Sequence, residues 1–110
     1  MILSQERIKA SLDELKASLV ERFGEGTDLT LFGSVARGGY GADSDIDVLV
    51  LLPMPVSTAT EEEVFDFAFD VEMKYDVIFG IIVYSREEWE SPRLSSMPLH
   101  HMIDAEGVRL

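Results

Sequence analysis

Gly33-Ser34-Val35-Ala36-Arg37-Gly38, followed after a short gap by Ser44-Asp45-Ile46-Asp47, is the stretch on which the reading of this chain turns. Gly33 stands between an extended apolar run and a helix start, where a side chain would block the close approach of a ligand. Ser34 offers a hydroxyl and a backbone N–H at a helix N-terminus, a natural seat for phosphate. Arg37, one turn on, supplies a fixed positive charge suited to a triphosphate. Asp45 and Asp47 are two apart on an extended segment, so both carboxylates project from one face. Side by side they repel each other, and a divalent cation is the usual relief. Oxygen-only ligands select Mg²⁺ or Mn²⁺. A phosphate-binding turn beside a carboxylate pair reads as a metal–nucleotide site.

Working outward, Ile8, Leu12, Leu15, Leu19 and Phe23 recur at three- and four-residue steps, the pattern of an amphipathic helix. Gly24 and Gly26 stop it. Residues 27–32 read as a strand, 35–37 as the first turn of a short helix, and 38–44 as a loop. Residues 45–52 form a second strand, apolar on both faces and therefore covered on both sides. Thr60-Glu61-Glu62-Glu63 has the form of a capping box opening a helix that runs to about Lys74. Residues 76–84 read as a third strand. Ser85-Arg86-Glu87-Glu88 is a second capping box, before Trp89. Residues 99–105 add one or two helical turns. The order predicts an α/β fold: a small, mixed, three- to four-stranded sheet with helices packed on it, in a single domain over 1–110.

A helix joins strands two and three, a connection typical of parallel neighbours. On that reading Asp76 opens strand three and faces Asp45 and Asp47. There it would hold a second metal ion or accept a proton from an attacking hydroxyl. The helix before it carries Phe65, Phe67, Phe69, Val71 and Met73 besides Val64 and Ala68, apolar almost all round. The excess faces either the N-terminal helix or a partner, which includes a second copy of the chain. His100-His101 point about 100° apart on a helix and do not chelate one ion easily, so they read as a surface or partner contact. Trp89 reads as a core lid.

The totals narrow the partners. Lys and Arg number 9 against 21 Asp and Glu, a formal charge of −12 over 110 residues. That field repels duplex nucleic acid and suits a basic partner protein. With no cysteine, disulfides, thiolate zinc sites and thiol catalysis are excluded. No segment reaches the roughly 20 apolar residues of a membrane span, and a cytoplasmic location is expected.

The run GSVARGGYGADSDIDVLVLL, residues 33–52, resembles the signature of the DNA polymerase β-like nucleotidyltransferase superfamily. Its Ala-Arg-Gly after the Ser and its Ser-Asp-x-Asp spacing resemble the stand-alone minimal nucleotidyltransferases (MNT). The resemblance implies that Gly33 and Ser34 contact nucleotide phosphates and that Asp45 and Asp47 ligate metal. It makes Asp76 the third catalytic carboxylate. Arg37 matches the family's run, its phosphate role being inferred from its position. The implied reaction is attack of an acceptor hydroxyl on the α-phosphate of ATP, with Mg²⁺ as cofactor. The implied setting is a toxin–antitoxin pair with a HEPN-domain protein, in which AMP passes to the partner. Two alternatives stand beside it: a non-catalytic module that masks a basic partner, and transfer to a small molecule.

Overall fold

The computed structural model describes residues 5–39 and 45–110. The loop expected to end at Ser44 thus lies outside the described residues, apart from its first two positions. The elements in order are α1 (Gln5–Phe23), β1 (Asp28–Phe32), α2 (Gly33–Ala36), β2 (Ile46–Leu52), α3 (Thr58–Tyr75), β3 (Phe79–Ser85), α4 (Arg86–Trp89), α5 (Pro92–Ser95), α6 (Pro98–Glu106) and β4 (Val108–Arg109). The strands form one mixed sheet in the order β3-β2-β1-β4. β2 pairs parallel with β3 and antiparallel with β1, which in turn pairs antiparallel with β4. The mixed four-stranded α/β architecture is the one the element order predicted.

β2 is central and buried on both faces, as its unbroken apolar content requires. Ile46, Val48, Val50 and Leu52 enter a core shared with the inner faces of α1 and α3. Leu49 and Leu51 point the other way, into a smaller core with Phe32, Trp89 and Ile103. Asp47 alternates with the first set and so lies on the second face, which α4 and α6 cover. Trp89 is indeed a buried lid. His100 stacks on it at 4.3 Å between ring centroids, so this histidine is packed and not a surface residue.

Three boundaries depart from expectation. α3 is capped by Ser57, whose hydroxyl accepts from the Thr60 N–H at 3.1 Å, one turn ahead of the Thr60 capping box. Ser57 wins because its backbone is extended, the geometry an N-cap needs. β3 begins at Phe79, and Asp76 is the C-cap of α3. The third departure is β4, a short edge strand that the sequence does not announce. Ser85 caps α4 as expected, accepting from the Glu88 N–H.

The apolar excess of α3 divides cleanly. Val64, Ala68 and Val71 are buried and Phe67 packs against the core, while Phe65, Phe69 and Met73 stand 43%, 58% and 70% exposed at four-residue steps. The N-terminal helix does not cover them.

At the far end of the sheet, Asp28 accepts from Arg86 and, at 2.9 Å, from Arg109. Arg86 also donates to the Gly26 carbonyl at 3.0 Å, so one side chain ties the start of β1 to α4. Burial pushes the Asp28 carboxyl up, but the two guanidinium groups outweigh it and hold the carboxyl below its usual range. A depressed folded value contributes stability above the unfolded pKa, lost as pH falls through the folded one. Asp28→Asn is therefore expected to cost about 1–2 kcal/mol at neutral pH. Its Tm deficit should shrink below about pH 4, where the wild-type carboxyl protonates too. A deficit that stays constant from pH 7 to pH 3 would show that the ion pairs contribute nothing.

Candidate active site

The site is built where β1 turns into α2, beside the start of β2. Gly33 adopts φ +77°, a conformation that favours glycine, and this reversal lets α2 begin directly after Phe32. A Cβ at Gly33 would lie 2.2 Å from Asp47 Oδ2. The backbone of the turn and the Asp47 carboxylate are thus in contact, and only the absent side chain permits it. On the opposite flank, a Cβ at Gly80 would lie 2.6 Å from Asp47 Oδ1. Asp47 therefore stands in a slot between two glycines. Gly80 was missed in the sequence, although a lone glycine in an apolar strand is a readable sign of close approach.

α2 is a single turn. The Arg37 N–H closes it on the carbonyls of Gly33 and Ser34, and the Gly39 N–H donates to the Ser34 carbonyl at 2.7 Å. This folds the Gly38–Gly39 segment back over Ser34. Arg37 pairs with Glu106 at 3.1 Å, reaching across 69 residues to the end of α6. Both ends of that pair are exposed, so its contribution to stability is small. Its place beside the carboxylates is the informative feature.

Burial pushes the Asp47 carboxyl above the ordinary carboxylate range, the Asp45 charge pushes it further, and the Arg37 charge works against both. Asp45 sits one residue before β2 and is exposed. The structure thus brings Gly33, Arg37, Asp45 and Asp47 together, with Ser34 in the same turn. The chemistry of the donor set fits a divalent ion, since two neighbouring carboxylates repel each other and gain from a counter-cation.

Asp76 does not join them. It is exposed, in the left-handed region at φ 55°, ending α3 through its own N–H to the Glu72 carbonyl. It lies three residues before the first residue of β3, so it neither opens the strand nor shares its alternation. Among the described residues no three acids or histidines converge on a point that would hold a metal. Aspartate tolerates left-handed backbone better than most residues, which is why it serves as a helix cap here.

Comparison with known proteins adds the family. The model of the nucleotidyltransferase domain matches residues 12–104. No curated protein sequence matches the chain. Among solved structures, one described as a minimal nucleotidyltransferase is 27% identical with a TM-score of 0.62, covering 100% of this chain and 97% of that one. A toxin–antitoxin structure with AMP-PNP is 18% identical with a TM-score of 0.57, covering 86% of this chain and 68% of that one. A mutant of the MntA–HpeT toxin–antitoxin is also 18% identical, with a TM-score of 0.55 over 89% of this chain and 70% of that one. The last two show likeness of fold. A family model spanning most of the chain, over the turn and the carboxylate pair just described, decides the matter: the chain belongs to the nucleotidyltransferase domain family.

Proposed function

We propose that this protein transfers a nucleoside monophosphate, AMP from ATP, to a hydroxyl of a partner protein, as the antitoxin of a toxin–antitoxin pair with a HEPN-domain toxin. The observation that carries the reading is the Asp47 slot: a carboxylate with raised proton affinity, held against the Gly33-Ser34 turn and flanked by Asp45. In this reading Gly33 leaves room for phosphate oxygens, Ser34 donates to them, and Arg37 exchanges Glu106 for a phosphate. Asp45 and Asp47 hold Mg²⁺, with Mn²⁺ as a substitute. When bound, the ion polarises the phosphate and neutralises developing charge. The acceptor oxygen forms a bond to the α-phosphorus as the bond to the β-phosphate oxygen breaks. Pyrophosphate departs and the hydroxyl proton passes to water.

The protein partner is supported by three features. The toxin–antitoxin neighbours are one. The charge of −12, suited to a basic surface, is another. The Phe65–Phe69–Met73 stripe is the third. A location in the cytoplasm accords with this setting. No helix among the described residues is long and apolar enough to cross a membrane.

The stripe and the charge also favour a second reading, in which the chain masks a basic partner without modifying it. The two separate in one experiment. Protein, Mg²⁺ and ATP labelled at the α-phosphate are incubated with a lysate of cells expressing the toxin. A labelled protein band that vanishes in Asp47→Asn is the expected result. No labelled band at all, with toxin still neutralised by Asp47→Asn, would establish masking instead.

A further inference from the structure

The strand beside the carboxylate pair carries no carboxylate of its own. β3 runs parallel to β2, and the register sets Gly80 beside Asp47. One step outward, the Ile46 N–H donates to the Ile78 carbonyl at 2.8 Å, which sets Ile78 beside Asp45. The faces agree: Phe79 and Val83 enter the core under α1 and α3, while Ile82 and Tyr84 join the Trp89 cluster on the Asp47 side. Ile78 and Gly80 alternate with that second set.

Neither position can serve as a ligand. A side chain at Gly80 would collide with Asp47. Ile78 is aliphatic and 62% exposed, an apolar group standing in water next to a carboxylate. On the other flank the cross-strand neighbour of Asp47 is Phe32, again without an oxygen. Of the described acids in the α3–β3 connection, Glu72 accepts from the Phe79 N–H at 2.7 Å, and Asp76 stands off the strand, three residues before its first residue.

A two-ion phosphoryl-transfer site holds its ions about 3.5–4 Å apart. Two divalent charges at that distance repel with four times the energy of two unit charges, so carboxylates must surround both. We infer that this chain holds a single divalent ion with its nucleotide, and that Ile78 occupies the position from which a carboxylate would bind a second. The inference rests on the reading of Asp45 and Asp47 as metal ligands. It also means that no β3 carboxylate takes the acceptor proton.

Electron paramagnetic resonance with Mn²⁺ and a non-hydrolysable ATP analogue tests it without any turnover. Wild type is expected to give the six-line spectrum of one isolated Mn²⁺ per chain, lost in Asp47→Asn. Ile78→Asp, a change at an exposed site, is expected to take up a second ion and show an exchange-broadened spectrum of a coupled pair. Ile78→Asn, with no charge, should remain at one ion. A coupled spectrum in wild type would overturn the single-ion inference and leave Asp45 and Asp47 as ligands. No protein-bound Mn²⁺ in wild type would overturn both. An isolated ion in Ile78→Asp, with its Tm unchanged, would overturn the role given to Ile78.

Discussion

Asp47→Asn is expected to abolish nucleotidyl transfer and, in the ligand-free protein, to raise the melting temperature. The two effects share one cause. In the wild type a carboxylate is held in a half-buried slot beside a second carboxylate, against a glycine turn. Burial and Asp45 both raise its proton affinity, and Arg37 offsets them only in part. For an acid whose folded pKa exceeds its unfolded value, ionisation costs the folded state more than the unfolded one. The free protein therefore loses stability as pH rises from the unfolded value toward the folded one, and carries the whole penalty above both. Asparagine has nearly the same shape and does not ionise. At pH 7 the variant should be more stable by about 1 kcal/mol, a Tm gain of about 4 °C for a domain of this size. The gain should fade toward about pH 4, where the wild type is itself protonated.

On activity the sign reverses. If the pair exists to hold a cation against a triphosphate, removing one charge removes the ion. A loss of about 10³-fold in rate corresponds to about 4 kcal/mol of transition-state stabilisation. Mg-ATP at 100 times its Kd should stabilise the wild type by about 2.7 kcal/mol and the variant hardly at all. A calorimeter and an α-label assay suffice. An Asp47→Asn protein that melts below the wild type, or transfers label at the wild-type rate, is incompatible with a strained cation site.

Much of this was legible from residues alone, for physical reasons. β2 could be read because Val48–Leu52 is apolar on both faces, which few structures other than a central strand explain. The common face of Asp45 and Asp47 follows from the two-residue repeat of a strand. Asp76 was misplaced because Asp76-Val77-Ile78 alternates like the start of a strand, while the left-handed cap that ends α3 is a tertiary outcome. A glycine there would have announced it; an aspartate hides it. The cap at Ser57 was obscured because residues 57–60 hold three hydroxyl side chains, any of which can cap. The Arg37–Glu106 pair joins groups 69 residues apart, and local pattern carries no information about such contacts. β4 has two residues, too few for any periodicity.

Gly33→Ala is the second change with a large expected effect, and it separates steric exclusion from backbone strain. An L-residue at φ +77° costs about 1–2 kcal/mol by itself. The new methyl would also lie 2.2 Å from Asp47 Oδ2, so the carboxylate must leave its slot, and Gly80 blocks retreat on the other side. Together these should destabilise the protein by about 3 kcal/mol or more, lowering Tm by more than about 10 °C. Binding of the Mg-nucleotide should be lost. Gly38→Ala is the matched control: φ is +93°, but among the described residues no atom lies within 4 Å of the new methyl. It should pay the backbone cost alone, about 1–2 kcal/mol, and keep nucleotide binding. Adding Asp47→Ala should recover about 1–2 kcal/mol of the Gly33→Ala penalty, because the collision disappears while the strain remains. In the Gly38→Ala background the same substitution should show no such coupling. Equal coupling in the two backgrounds would mean that the turn and the carboxylate are not in contact, and the site built on that contact would fall with it.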